Sequence, residues 1–197
     1  MPIQNKSVRS RGLKKKRIWL IAKGPSCLKA QEYVTADDDL ASVNDGAMHI
    51  EGKSIDFVFF SEVAAIERVE PQESRIERFV SRQPLDWQLN DYPGWMLDRW
   101  TFYHHRECAG DRESITQRII EGGICHHHTT PGAIHYLCKF ENYDEVCVLG
   151  ADGGKEYAKG KESLGPPFVD LNEWATITRR IADVCSKVYD TQVRFYS

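Results

Sequence analysis

Apolar positions along the chain fall into short continuous runs separated by polar, turn-forming segments. "RIWLIA" (17–22) reads as a buried strand, "LASVN" (40–44) as a second, and "IDFVFF" (55–60), with five apolar residues in six, as a third. "EVCVLG" (145–150) is a fourth, and "TFYHH" (101–105) and "QVRFY" (192–196) are shorter candidates. Helical stretches lie between them. One follows Pro25-Ser26 to about residue 33, and another runs from Ser61-Glu62 to Val69. "DRESITQRIIEGG" has an acidic first turn and a glycine stop. "TTPGAIHYLCKF" reads as a helix with Thr129 or Thr130 as N-cap and Pro131 at its first position. Leu171, Trp174, Ile177, Ile181, Val184 and Val188 make the apolar stripe of a final helix. Ile76, Phe79 and Val80 have helical spacing in a segment that would also suit a strand. Residues 83–99 look like an irregular excursion, and 153–167, rich in glycine and ending in Pro166-Pro167, like a short lid loop.

Strands alternating with helices predict an α/β, Rossmann-like three-layer sandwich with a mainly parallel sheet, with 17–22, 40–44, 55–60 and 145–150 as neighbours. In such sheets ligands bind outside the carboxyl ends of the strands. That rule picks out Lys23-Gly24-Pro25-Ser26, Asn44-Asp45-Gly46, Ser61-Glu62, Thr129-Thr130-Pro131-Gly132 and Asp152-Gly153-Gly154 as the rim of one polar cleft. Gly24 permits close backbone approach. Pro25 suits a first helical turn, and a helix N-terminus attracts anions. Lys23 adds a cation there, so the turn is a candidate phosphate holder; the alternative is a plain strand-to-helix connection with a solvated lysine. Neither a Walker loop nor a GxGxxG fingerprint is present.

Length and composition refine this picture. The chain has 197 residues, 41% hydrophobic and 28% charged, which suits one soluble globular domain over 17–197. No apolar run approaches the roughly 20 residues of a membrane span, and no secretory h-region opens the chain, so the expectation is cytoplasmic. The six cysteines form no CxxC pair, which fits reduced thiols. Net charge is −3, but residues 1–17 carry seven basic residues and no acidic one, leaving 19 basic against 29 acidic elsewhere. Residues 1–16 are therefore expected to be a basic flexible tail, a solubilising arm or a contact for nucleic acid or an anionic membrane.

Adjacent histidines on a strand point to opposite faces, so His126, His127 and His128 do not converge easily on a metal. One or two of them, His128 first, are candidate phosphate donors or acid/base groups. Asp152 is a candidate Mg²⁺ ligand or substrate contact, weighed against an ordinary turn-forming acid.

The combination A-K-G-P-S-C-L (22–28), V-N (43–44), T-P-G (130–132) and G-A-D (150–152) resembles the nucleotide site of the bacterial lipooligosaccharide sialyltransferases, with their G-N-G-P-S-L turn, T-S-G and G-x-D. It is also similar to the archaeal 6-hydroxymethylpterin pyrophosphokinase family. The resemblance implies a nucleotide-sugar-dependent glycosyltransferase with a CMP-sugar donor and a saccharide acceptor. It places Gly24, Pro25 and Ser26 against the nucleotide, and Asn44 on its ribose or phosphate. Thr130 and Gly132 would meet base or phosphate, with Ser61 and Glu62 beside them. Asp152 would lie at the pocket edge, and Tyr157 would steady the leaving phosphate. Three differences stand out: Lys23 replaces the family's asparagine, Pro131 replaces its serine, and no histidine follows His135 to act as base. Two further readings therefore stay open. One is a Mg²⁺-dependent diphosphotransferase of the pterin kind; the other is a non-catalytic nucleotide-binding or interaction protein.

Overall fold

The structure is a computed structural model that describes residues 15–61, 63–84, 92–108, 110–126, 128–153, 156–160 and 170–197. Strand β1 (Arg17–Ile21) leads through a 3-10 turn (Pro25–Lys29) into the single helical turn α1 (Ala30–Tyr33). Strands β2 (Asp39–Val43) and β3 (Ile55–Phe60) follow, then α2 (Val63–Val69), a second 3-10 segment (Glu70–Arg75) and β4 (Ile76–Arg82). After α3 (Gly94–Leu97) come β5 (Trp100–Tyr103) and β6 (His105–Glu107), then α4 (Arg112–Ile120) and β7 (Ile124–His126). The chain closes with α5 (Thr129–Phe140), β8 (Glu145–Leu149), α6 (Leu171–Tyr189) and β9 (Gln192–Phe195).

Seven strands form one sheet in the order β5-β4-β3-β2-β1-β8-β9, every adjacent pair parallel. Strands β6 and β7 make a separate parallel pair, bridged by α4. This is the α/β sandwich expected from the alternation, and the four strands foreseen as neighbours are adjacent in the order β3-β2-β1-β8. A sheet buried on both faces explains why its strands read as continuous apolar runs. Alternate residues divide between two cores. Ile18, Leu20, Val43, Phe57, Phe59 and Val148 pack beneath α5 and α6, while Trp19, Ile21, Leu40, Val58, Phe60 and Leu149 pack beneath α1 and α2.

Several local expectations are corrected. Residues 76–82 form strand β4, because pairing with β3 buries Ile76, Phe79 and Val80 despite their helical spacing. Helix α5 begins one residue earlier than a Thr129 cap implied and two earlier than a Thr130 cap with Pro131 first: His128, in extended conformation, is the N-cap, and Pro131 is the third helical residue. Proline is tolerated there because N–H groups of the first turn have no intrahelical acceptor to lose. In α6, Val188 is exposed, and the buried face comprises Ile177, Thr178, Ile181, Ala182, Val184 and Cys185. Asp170 caps this helix by accepting from the Asn172 and Glu173 N–H groups.

At the chain's start, Lys15 and Lys16, which had been grouped with the tail, are bonded to the domain. The Lys15 ammonium donates to Gln192 Oε1, and the Lys16 N–H donates to Asp144 Oδ2 at 2.9 Å. Residues 1–14 lie outside the described residues. All six cysteines are buried free thiols. Among the described residues, no helix is long and apolar enough to cross a membrane.

Candidate functional site

Strand order reverses at β1. From it the chain proceeds outward through β2, β3, β4 and β5 on one side, while β8 and β9 lie on the other. The carboxyl ends of β1 and β8 therefore flank a topological switch point, where open α/β sheets bind ligands. The turns leaving these two strands are the 22–26 stretch and the 150–153 stretch, and they are bonded to each other. Ala22 N–H donates to Leu149 O and Gly24 N–H to Gly150 O, both at 2.7 Å. Ser26 N–H donates to Asp152 Oδ2 at 2.8 Å, and the Ser26 hydroxyl to Asp152 Oδ1 at 2.5 Å. That hydroxyl also accepts from Gly150 N–H at 2.8 Å.

The need for glycine follows from this packing. A Cβ at Gly24 would lie 2.6 Å from Gly150 O and 2.7 Å from Asp152 Oδ2. A Cβ at Gly150, whose φ is 76°, would lie 2.6 Å from Ala22 O. The close backbone approach expected of Gly24 is thus made to the neighbouring turn. The expectation of free N–H groups at the 24–27 turn is corrected too: Pro25 has none, and those of Gly24, Ser26 and Cys27 all reach protein acceptors.

Lys23 is buried, not a solvated rim residue. Its ammonium lies 3.6 Å from Asp45 Oδ1 and 5.2 Å from the centre of the Tyr157 ring. Arg68, from α2, approaches the other Asp45 oxygen at 3.7 Å. Two cations thus converge on one carboxylate. The backbone carbonyl of Lys23 accepts from Ala158 N–H at 2.8 Å, which holds the 156–160 stretch across the β1 turn. Asn44 ends β2 in the left-handed region, φ 52°, which asparagine tolerates better than most residues. Its N–H donates to Phe59 O, but its Oδ1 is buried with no hydrogen-bond partner among the described residues. Such an atom is costly to leave unmet, and it marks a place for a donor.

At the end of β3, Ser61 Oγ lies 3.0 Å from Thr129 Oγ1, tying that strand to the start of α5. Thr130, Pro131 and Gly132 follow in the same buried first turn. Glu62 lies outside the described residues. The His128 ring stacks on Trp174, centroids 4.3 Å apart and planes 11° apart. Thr178 gives its hydroxyl proton to Trp174 O, so the 3.1 Å contact from His128 Nε2 to Thr178 Oγ1 makes Nε2 the protonated nitrogen. Sequence reasoning placed Asp45 on the cleft rim without a role, and missed Arg68 and Trp174 as members of this neighbourhood. Asp45 was visible beside Asn44 in the same strand-end loop; Arg68 and Trp174 carried no local signal.

The described residues around Asp152 do not fit a Mg²⁺ site. Both carboxylate oxygens accept from Ser26, and no group of three or more His, Cys, Asp or Glu suited to a metal occurs among the described residues.

No family model matches the chain, and no curated protein sequence matches it. Among solved structures, the fold is similar to that of the monofunctional α-2,3-sialyltransferase Cst-I from Campylobacter jejuni, with a TM-score of 0.54 and 11% sequence identity. The match covers 98% of this chain and 79% of that one. At this identity the likeness is one of fold.

Proposed function

We propose that the chain is a transferase that takes a nucleotide-activated sugar, a CMP-sugar, and passes the sugar to a saccharide acceptor. The observation that carries this reading is the polar cluster at the switch point: the buried Lys23, shared with Arg68 on Asp45, beside Asn44, whose Oδ1 has no hydrogen-bond partner among the described residues. Lys23 and Arg68 bring two cations to the carboxyl end of the sheet, Lys23 in a place screened from water, where cationic side chains suit an anionic ligand. Asn44 Oδ1 supplies an acceptor for a sugar hydroxyl or a base amino group. The fold likeness to a sialyltransferase supports the same reading.

In the proposed reaction the bond between the sugar's anomeric carbon and the donor phosphate breaks, and the acceptor hydroxyl oxygen bonds to that carbon. Charge grows on the departing phosphate, where Lys23, Arg68 and the start of α5 at Thr130 and Gly132 would offset it. Tyr157, whose ring lies beside Lys23, would hold the same phosphate. Asp152 would act through Ser26, fixing the turn that presents Lys23. The acceptor proton needs a base, and for His128 that base would be Nδ1, since Nε2 carries a proton. Diphosphate transfer from ATP is less well supported, because it needs a Mg²⁺ site that the described residues around Asp152 do not supply.

The test is a thermal-shift panel of CMP, UDP, GDP and ATP, each with and without Mg²⁺. A ligand at 100 times its Kd adds about 2.7 kcal/mol, or about 5–11 °C for a domain of this size. CMP should stabilise most, with no Mg²⁺ requirement. Stabilisation by ATP alone and only with Mg²⁺ would favour diphosphate transfer, and no shift with any nucleotide would overturn the proposal.

A further inference from the structure

Helix α6 reaches the switch point through its first two turns. They lie against the turn that leaves β8: a Cβ at Gly153, next to Asp152, would lie 3.1 Å from Ala175 Cβ and 3.2 Å from Asn172 Oδ1. Trp174 and Thr178, four residues apart and so on one face of the helix, both meet His128, the N-cap of α5. The imidazole lies flat on the indole, and its Nε2 is 3.1 Å from Thr178 Oγ1 and 3.4 Å from Trp174 O. Both oxygens can only accept here. A carbonyl has no proton, and the Thr178 hydroxyl gives its own to Trp174 O at 2.7 Å. The neutral ring is thus fixed in plane by the indole and in tautomer by two acceptors on Nε2–H, with its lone pair on Nδ1. Thr178 is buried, while His128 and Trp174 are half-buried, so the anchor is shut away from water and the ring is not. The ring also makes no capping bond to α5, the common use of an N-cap side chain.

We propose that Trp174 and Thr178 are positioning residues that hold His128 as the base of the transfer, with Nδ1 taking the acceptor proton. This rests on the transfer reading above. The acceptor oxygen bonds to the anomeric carbon as its proton passes to Nδ1, and the bond from that carbon to the donor phosphate breaks, its electron pair leaving with the phosphate. The proton later passes from the ring to water. While both ring nitrogens are protonated, Nε2–H keeps the same two oxygens as acceptors, so no hydrogen bond is lost as the charge forms. The cation also lies over an indole face 4.3 Å away, an arrangement that attracts it. Neither Trp174 nor Thr178 needs to touch the substrate; they act through the plane and tautomer of His128. A pair that served packing alone would leave the tautomer and the chemistry indifferent to the Thr178 hydroxyl.

The experiment has two arms on the full chain. In the first, histidine labelled with nitrogen-15 is incorporated, and long-range proton–nitrogen correlation above neutral pH reads the tautomer of each ring, with His128→Gln assigning one among seven. Wild-type His128 should be the Nε2–H form, and Thr178→Val should admit the Nδ1–H form. In the second, turnover of CMP-activated sialic acid with a galactosyl oligosaccharide is measured beside the melting shift given by CMP. His128→Ala should lower kcat about a hundredfold or more, with part restored by free imidazole and the CMP shift kept. Thr178→Val should lower kcat about three- to tenfold, the size of one hydrogen bond, and Thr178→Ser should recover it. Trp174→Leu should fall further than Trp174→Phe, which keeps an aromatic face. A wild-type Nδ1–H tautomer, a Thr178→Val chain with wild-type tautomer and kcat, or transfer indifferent to His128→Ala would each overturn this inference and leave the transfer reading standing. A wild type that neither gains stability from CMP nor releases it overturns the transfer reading, and this inference with it. If an α6 variant fails to fold, the wild-type tautomer and His128→Ala with imidazole decide.

Discussion

Asp152→Ala is expected to cost stability. The carboxylate accepts from both the Ser26 N–H and the Ser26 hydroxyl, and each is a hydrogen bond to a charged group. Bonds of that kind contribute about 1.5–3 kcal/mol each. The two are not additive, since the freed hydroxyl keeps Gly150 N–H as a partner and lies 3.4 Å from Tyr196 O. The half-exposed position lowers the figure further. A net loss of about 2–3 kcal/mol is reasonable, which for this chain length is about 4–12 °C in Tm. Asp152→Asn, which keeps an acceptor but loses the charge, should fall between. Calorimetry on wild type, Asp152→Ala, Ser26→Ala and the double variant measures the coupling, expected at about 1–2 kcal/mol for groups in direct contact. A Tm within about 1 °C of wild type for Asp152→Ala, or zero coupling to Ser26, would refute the reasoning. Asp152 would then be facing ligand and not holding the turn.

Lys23→Met should weaken binding of the best nucleotide about tenfold to a hundredfold by calorimetric titration, the size of one charge-assisted contact. It should also lower Tm, since the buried Asp45 would lose one of its cationic contacts; unchanged affinity would remove Lys23 from the site. Burial holds the His135 imidazole down to about 3, so folded His135 stays neutral where the unfolded residue, near 6.5, protonates. Stability should be full above about pH 6.5 and decline steadily below it, and urea titrations of His135→Gln should show a flatter profile over that range. Burial alone would raise the Asp38 carboxyl, but paired contacts from Arg17 and bonds from Thr35 more than offset this and hold it at about 2. Its contribution should be present above about pH 4 and lost as pH falls through 2, and Asp38→Asn should remove about 2–3 kcal/mol of that acid dependence.

What the sequence disclosed depended on how local each cause was. The strands at 17–21, 39–43, 55–60 and 145–149 are buried on both faces, so their apolar runs announced them directly. Segment 76–82 was ambiguous because only the partner strand, 21 residues away at each paired position, decides between its two periods. The switch-point turns were legible as turns, since Gly24-Pro25-Ser26 and Gly150-Ala151-Asp152 carry their own punctuation. That they bond to each other was not, because the two stretches are more than 120 residues apart. Lys23 offered no hint of burial. Its buried partner Asp45 and the overlying Tyr157 come from other strand ends, and only the folded sheet brings them together. The α5 start differs by one or two residues from the expected one because the His128 cap is held by Trp174 in α6, a contact invisible in local spacing.

The central claim, that the switch-point cleft turns over a CMP-sugar, is tested most directly by product analysis. The full chain is incubated with CMP-activated sialic acid and a panel of labelled galactosyl oligosaccharides in the presence of a metal chelator, and CMP and extended glycans are quantified by mass spectrometry. The account expects CMP and sialylated product in equal amounts, with both falling at least tenfold in Asn44→Ala and Lys23→Met. No CMP above the enzyme-free background, or release that survives both substitutions unchanged, would contradict it.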